Sequence, residues 1–296
     1  MLLDVPFPLT TGFSSVTSNV GGLRNYGYNV TVDADVYRNQ SAYITPYFNF
    51  NYNQQKITEL FQGRNYWIQP NTGVSWIVGQ PVTYLYPIFN RVNPTTGLPE
   101  WFKPNSNPDL ITSTTKDDAS VTSTFNAVGL QQNTGIKRYA PLTGGFGLNA
   151  SFKGFYTDIY FSFAKGKYLI NNDRFFYENP SQFPGFNQSR SILDYWKNPG
   201  DIATFPKYGV QFTQFDSRLI EDASFMRMKN FTIGYNIPAS ILKKSNFLTG
   251  CKFYLTGRNL LTVTSYSGPD PEVDSNISLG VNPNTRQIAV GLDFQF

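Results

Sequence analysis

Apolar and polar residues alternate with period two along several long stretches of this 296-residue chain. In the first stretch Tyr28, Val30, Val32, Ala34 and Val36 fall on one side, and Asn29, Thr31, Asp33, Asp35 and Tyr37 on the other. After the polar turn Arg38–Ser41, Ala42, Ile44, Phe48, Phe50 and Tyr52 continue the apolar side against Tyr43, Thr45, Tyr47, Asn49, Asn51 and Asn53. A second pair is cleaner. Leu142, Phe146, Leu148, Ala150 and Phe152 oppose Thr143, Gly145, Gly147, Asn149 and Ser151; across Lys153-Gly154, Phe155, Ile159, Phe161 and Phe163 oppose Tyr156, Asp158, Tyr160 and Ser162. Such alternation around tight turns is the mark of β-hairpins.

Strand length then separates two architectures. Strands of soluble proteins run about 5–6 residues, whereas a tilted strand crossing a bilayer needs about 9–11, apolar toward lipid and polar toward the lumen. A large soluble β-sandwich or solenoid with long strands shares the periodicity. Gly145, Gly147 and Asp158, however, fill a packed core poorly and suit a hydrated barrel interior. The last eleven residues, Arg286–Phe296, alternate again and end on Phe294 and Phe296. Such an ending resembles the signal by which the barrel assembly machinery recognises outer-membrane barrels, although a soluble edge strand can end the same way.

Composition closes other branches. Aromatic residues make up 17% of the chain and charged residues 15%, against roughly 25% charged in an ordinary soluble domain. With no histidine, Ser–His–Asp hydrolysis, Cys–His catalysis and histidine-ligated zinc are excluded within this chain. The single cysteine, Cys251, permits no internal disulfide. No apolar run reaches the roughly 20 residues of a spanning helix, and the start Met1–Pro8 lacks the pattern of a signal peptide. A net charge of +4 with dispersed basic residues does not make a nucleic-acid stripe.

Short turns alternate with long connections, notably Gly63–Pro141 and Gly166–Leu219, as at the two ends of an outer-membrane barrel. The long connections carry Trp67, Trp101, Tyr177 and Trp196, which are candidates for stacking on sugar faces or on a partner protein. Packing within the connection itself, or an interfacial aromatic girdle, is the competing account of the same rings.

The run Ile220-Glu-Asp-Ala-Ser-Phe-Met-Arg-Met-Lys-Asn-Phe-Thr-Ile-Gly-Tyr-Asn-Ile-Pro238 resembles the signature near the end of SusC/RagA-type TonB-dependent transporters. Tyr254–Thr262 and Tyr266-Ser-Gly-Pro-Asp-Pro-Glu272 follow it in the family's order. Upstream come Asn19–Gly27, Asn93–Pro99, Pro141–Phe146 and Trp196–Asp201. Together they extend over the chain from about Asn19 onward.

The same residues carry a physical reading. Met226 and Met228 are even-numbered whereas Phe231, Ile233 and Tyr235 are odd, so one extra residue near Lys229-Asn230 is needed to hold the outward phase: a β-bulge. Arg227, Lys229 and Arg258 then point into the lumen. They are expected either to pair with wall carboxylates such as Asp33, Asp35, Asp158 and Asp293, or to contact a plug. Asp270, Glu272 and Asp274 have alternating acidic spacing that suits calcium, but a solvated loop accounts for it more simply.

The resemblance implies an all-β fold: an antiparallel transmembrane β-barrel segment of about ten strands, part of a 22-stranded outer-membrane barrel. Candidate strands are Tyr26–Tyr37, Ala42–Asn53, Val82–Val92, Leu98–Lys103, Leu142–Phe152, Phe155–Ala164, Ser224–Tyr235, Lys252–Val263 and Arg286–Phe296, with a tenth, weaker in pattern, before Gly12. Plug, signal peptide and TonB box are not visible, so residues 1–296 are expected to be the carboxy-terminal barrel portion of a longer chain. The implied function is import of oligosaccharides or peptides across a Gram-negative outer membrane. Its implied partners are a SusD-like surface lipoprotein, the TonB complex through the missing plug region, and outer-membrane lipid; no cofactor is implied. A surface or soluble carbohydrate-binding β protein is the alternative. Enzymatic action is not expected, because Glu221 and Asp222, the least poor acid–base pair, face opposite sides of a strand.

Overall fold

The computed structural model describes residues 2–6, 8–12, 14–19, 21–69, 73–104, 120–210, 215–243 and 247–296. Its principal sheet holds nine strands, all antiparallel. Seven are long: β1 (Gly21–Asp33), β2 (Ala42–Leu60), β3 (Leu142–Phe152), β4 (Phe155–Lys165), β5 (Phe225–Asn236), β6 (Gly250–Arg258) and β7 (Gln287–Gln295). Each pairs with its neighbours in the chain, so the sheet is a plain up-and-down meander. The two short members, Tyr37–Arg38 and Thr262–Thr264, pair with β2 and β5.

The meander has two unlike ends. Connections 34–41, 153–154 and 237–249 leave one end, while 61–141, 166–224 and 259–286 leave the other. The tightest, Lys153-Gly154, has φ of 46° and 93° at its two residues. Positive φ at both centres is what a two-residue turn needs to match the strand twist, and glycine makes it cheap at the second.

Register carries the alternation across the whole sheet, because residues directly opposite on paired strands point the same way. One row runs Val32–Phe48–Phe146–Phe161–Met228, and a lower one Ile233–Leu255–Val290. On the other face runs Thr31–Asn49–Gly145–Ser162–Arg227–Thr262. The apolar face is uncovered: Val32 is 50% exposed and Leu292 58%. Phe146 is exposed as well, and Phe161 is half-buried chiefly because it stacks on Phe146 at 5.1 Å. In a soluble sandwich these side chains would sit in the core. Here they form an outer belt.

The packed core lies instead among the long connections. Trp67, Val74, Trp76, Val82 and Tyr84 from the first cluster with Ile170, Leu219 and Ile220 from the second, and with Ile57 and Leu60 at the end of β2. Three small sheets build this assembly: Tyr66–Gln69, Val74–Ile77, Thr83–Pro87 and Gln131–Lys137; Phe89–Val92, Pro99–Phe102 and Val121–Thr122; and Tyr168–Asn171, Ile220–Asp222 and Ile277–Ser278. No helix among the described residues is long and apolar enough to cross a membrane, which says nothing of a barrel.

Two expected wall strands are corrected by this arrangement. Val82–Val92 divides into Thr83–Pro87 and Phe89–Val92, which belong to different small sheets, and the Leu98–Lys103 segment pairs with the latter. Thr83–Pro87 is buried on both sides and only five residues long, so it is a core strand of the connection assembly. Lys252–Val263 also breaks after Arg258, where Asn259 takes φ 53°. The segment before Gly12 forms Leu2–Pro6, paired with Ser15–Asn19 outside the principal sheet.

Candidate functional site

The polar face of the meander and the connections folded against it form the candidate site. Its anchor is the irregularity in β5. Phe161 faces Met228 and Tyr160 faces Asn230, which leaves Lys229 as the extra residue of a bulge. Arg227 and Lys229 therefore lie on the polar face while Phe231, Ile233 and Tyr235 rejoin the apolar one, as the sequence requires.

Their partners differ from those expected. Arg227 is 3% exposed and donates to Asp270 at 2.6 Å and to Glu272 at 2.7 Å, with a third bond to Thr262 Oγ1 at 3.0 Å. Lys229 also pairs with Glu272. The carboxylates thus come from the third long connection, and none of Asp33, Asp35, Asp158 or Asp293 takes part. Asp158 accepts from Asn230 at 2.5 Å, Asp35 pairs with Arg38, and Asp293 with Lys252 at 2.8 Å. The acidic turn is solvated at Asp274 but not at Asp270. Asp270 is buried and accepts from the Asn284 amide and side chain at 2.8 and 3.0 Å and from the Glu272 amide at 2.9 Å. Burial alone would raise the Asp270 carboxyl; the Arg227 guanidinium and these amides outweigh it and hold it at about 2. The carboxylate is saturated by its own chain, and no acidic cluster suited to a metal ion occurs among the described residues.

Arg258 closes β6 on the polar face, exposed, opposite Gln287, and has no ion pair among the described residues. Phe294 and Phe296 are exposed at the end of β7; Phe296 packs edge-on against Phe247 at 4.9 Å.

The loop aromatics are mostly interior. Trp101 is 1% exposed, donates from Nε1 to Asp216 at 2.8 Å, and meets Phe125 edge-on at 5.0 Å. Trp67 is buried against Trp76 at 5.4 Å. Self-packing, not presentation to a ligand, is what these two rings do. Trp196 is half-buried with Nε1 on the Pro94 carbonyl at 2.8 Å, and Tyr177 is half-buried, its phenol raised above the ordinary range by burial.

Glu221 and Asp222 are likewise spoken for. Glu221 accepts from Arg174, Asn171 and both donors of Ser267 between 2.9 and 3.2 Å, and Asp222 from the Ser224 amide at 2.8 Å. Sequence reasoning missed Tyr84, whose hydroxyl lies 3.1 and 3.2 Å from the carbonyls of Tyr168 and Asn276 and so ties all three long connections together. The short apolar run around it was its only signal.

A cavity of about 510 Å³ opens between the polar wall and the connections, with Asn51, Asn53, Thr143 and Ser162 on the wall side and Lys137, Arg138, Lys167 and Asp274 on the other.

No family model matches the sequence. Relatives do. TonB-dependent receptor P3 of Formosa agariphila is 26% identical over 319 residues, and TonB-dependent receptor SusC of Bacteroides thetaiotaomicron 24% over 310; all of this chain is covered in each case, and 31% and 29% of the relative. Among solved structures, that of the RagAB peptide transporter matches at a TM-score of 0.89 and 37% identity, covering 100% of this chain and 32% of that one. Sequence and fold together make the chain similar to SusC/RagA-type TonB-dependent receptors. Two further RagAB structures, titled for its closed-closed and open-open states, match at the same TM-score. The chain spans about a third of the length of the relatives it matches. For a SusC/RagA-type segment the uncovered apolar belt and long edge strands of the meander are those of a barrel wall, and these relatives are receptors and transporters, not enzymes.

Proposed function

We propose that this chain is the carboxy-terminal stretch of the barrel of a TonB-dependent importer in a Gram-negative outer membrane. The barrel is completed to about 22 strands by residues outside this chain, which also supply the plug and the contact with TonB. The imported molecules are oligosaccharides or peptides, handed over by a SusD-like surface lipoprotein at the end bearing the long connections. Half-buried Tyr177 and Trp196 are the rings available for contact there. Phe294 and Phe296 serve recognition by the barrel assembly machinery, and the protein performs no bond chemistry.

One observation supports the reading above all others. The sheet keeps its apolar rows bare across its width while the connections fold against its polar rows, which inverts a soluble fold and suits lipid outside and water inside. Expression of the full-length gene tests it. The protein should fractionate with the outer membrane, change mobility on heating, and restore uptake only in cells with TonB. Recovery as a soluble folded monomer, or uptake indifferent to TonB, would refute it.

A further inference from the structure

The outward face of the sheet carries charge where its apolar belt stops. β1 and β2 keep unbroken register from Leu23–Ile57 to Asp33–Tyr47, so Arg24 and Lys56 lie directly opposite each other on the face of Tyr28, Phe50 and Tyr52. Both side chains are exposed, and neither has an ion pair among the described residues. Like charges facing each other across a ladder repel. Glu59, one row further on, lies over Gly22 and forms no ion pair with either.

Height places this pair in the membrane. At the end with the short turns, Phe152, Phe155, Tyr235 and Phe253 form one row of rings that begins opposite Ala42. At about 3.4 Å per residue and a tilt of about 35–45°, β2 climbs about 24–28 Å from Ala42 to Tyr52, the height of an apolar band flanked by aromatic girdles. Tyr26, Tyr28 and Tyr52 are the upper girdle, with Tyr28 and Tyr52 in contact at 5.4 Å. Lys56 stands about 10 Å higher, at the level of the headgroups. Beside it the Arg24 guanidinium rests 5.9 Å from the Tyr26 ring.

We propose that Arg24 and Lys56 bind the phosphomonoester headgroup of an acylated lipid in the outer leaflet, whose chains lie along the belt below. This goes beyond the importer reading but rests on it, since it takes the long connections to face outward. A phosphomonoester carries about two negative charges at neutral pH and three acceptor oxygens, which matches two cations across one ladder. A zwitterionic headgroup would bring a cation of its own and leave the repulsion in place. Cargo is not the occupant, because the pair faces away from Asn51, Asn53 and the cavity they line.

Native mass spectrometry on the detergent-purified full-length receptor tests the site, with diphosphoryl lipid A, the same lipid after phosphatase treatment, phosphatidylglycerol and sodium phosphate as probes. Diphosphoryl lipid A should bind, and the dephosphorylated lipid and phosphatidylglycerol should bind about tenfold more weakly or worse. Arg24→Gln with Lys56→Gln should weaken lipid A about thirtyfold, roughly fivefold for each cation, whereas Arg24→Lys with Lys56→Arg should keep most of the affinity. Unchanged mobility on heating shows that each variant is folded. Equal affinity for phosphorylated and dephosphorylated lipid, displacement of lipid A by millimolar sodium phosphate, or undiminished lipid A binding in the glutamine variant would overturn the lipid site and leave the importer standing. Recovery of the wild-type protein outside the outer membrane, without TonB-dependent uptake, would instead bring down the importer reading and this site with it.

Discussion

Removing the Arg227 guanidinium is the sharpest perturbation the structure offers. Arg227→Met keeps the length of the side chain and deletes two ion pairs, at 2.6 and 2.7 Å, in a site where Arg227 and Asp270 are each 3% exposed. Breaking a buried pair from one side costs about 3–5 kcal/mol, because the remaining charge is left without a partner. The third long connection should feel this first, since Asp270 holds the Asn284 amide at 2.8 Å. Hydrogen exchange of segment 268–286 in the purified receptor is the assay. Exchange in Arg227→Met should accelerate by roughly two to four orders of magnitude. Adding Asp270→Asn should restore part of the protection, because the stranded charge is gone while a carbonyl oxygen is kept for the Asn284 amide. The sign with pH follows from the lowered Asp270 carboxyl. A native value of about 2 against 3.8 unfolded means the contribution, about 2 kcal/mol, is present above about pH 4 and is lost as the pH falls through 2. If Arg227→Met exchanged at the wild-type rate, or if protection in the wild type rose as the pH was lowered from 5 to 2, the account of this connection as pinned to the bulge by buried charge would be wrong.

Three further outcomes are expected. Phe146→Lys puts a charge on the apolar belt and should cost about 2–4 kcal/mol of folding free energy in lipid, whereas Asn149→Lys on the opposite face should cost little; equal penalties in urea titrations of the lipid-inserted barrel would contradict the facing. Gly234→Ala drives a β-carbon into the Tyr156 ring, within 2.5 Å, so it should destabilise by about 1–3 kcal/mol, and Tyr156→Ala in the same chain should relieve part of the loss; thermal unfolding reads both. Trp101→Ala should cost about 3–5 kcal/mol of local stability and open the first long connection to protease while leaving the wall protected; simultaneous cleavage of both would argue against separate packing.

How legible each part was follows from how local its cause is. The hairpin Leu142–Phe152/Phe155–Lys165 was readable almost to the residue, because a two-residue turn and a period-two pattern specify register by themselves. The β5 bulge was readable for the same reason: a parity slip between Met228 and Phe231 admits one repair. Val82–Val92 reads as wall in the sequence because a short apolar run looks alike whether it faces lipid or a packed core, and only the partners of Thr83–Pro87 decide. The partner of Arg227 was not readable. Alternation fixes which face a cation takes, but the choice between wall carboxylates and Asp270, 43 residues away, depends on how a long connection folds back. Burial of Trp101 on Asp216, 115 residues apart, was hidden in the same way.

On the polar face Tyr47, Tyr160, Tyr156 and Tyr254 lie over Gly147, Gly145, Gly234 and Gly291, where any β-carbon would collide with the ring. Glycine there gives up strand propensity and gains clearance. A phenol tipped flat against the backbone takes far less of the bore than one standing upright, yet it still coats the passage with hydroxyl groups. In the importer proposed above, such a face makes a smooth, weakly adhesive lining with few projections to snag what slides by.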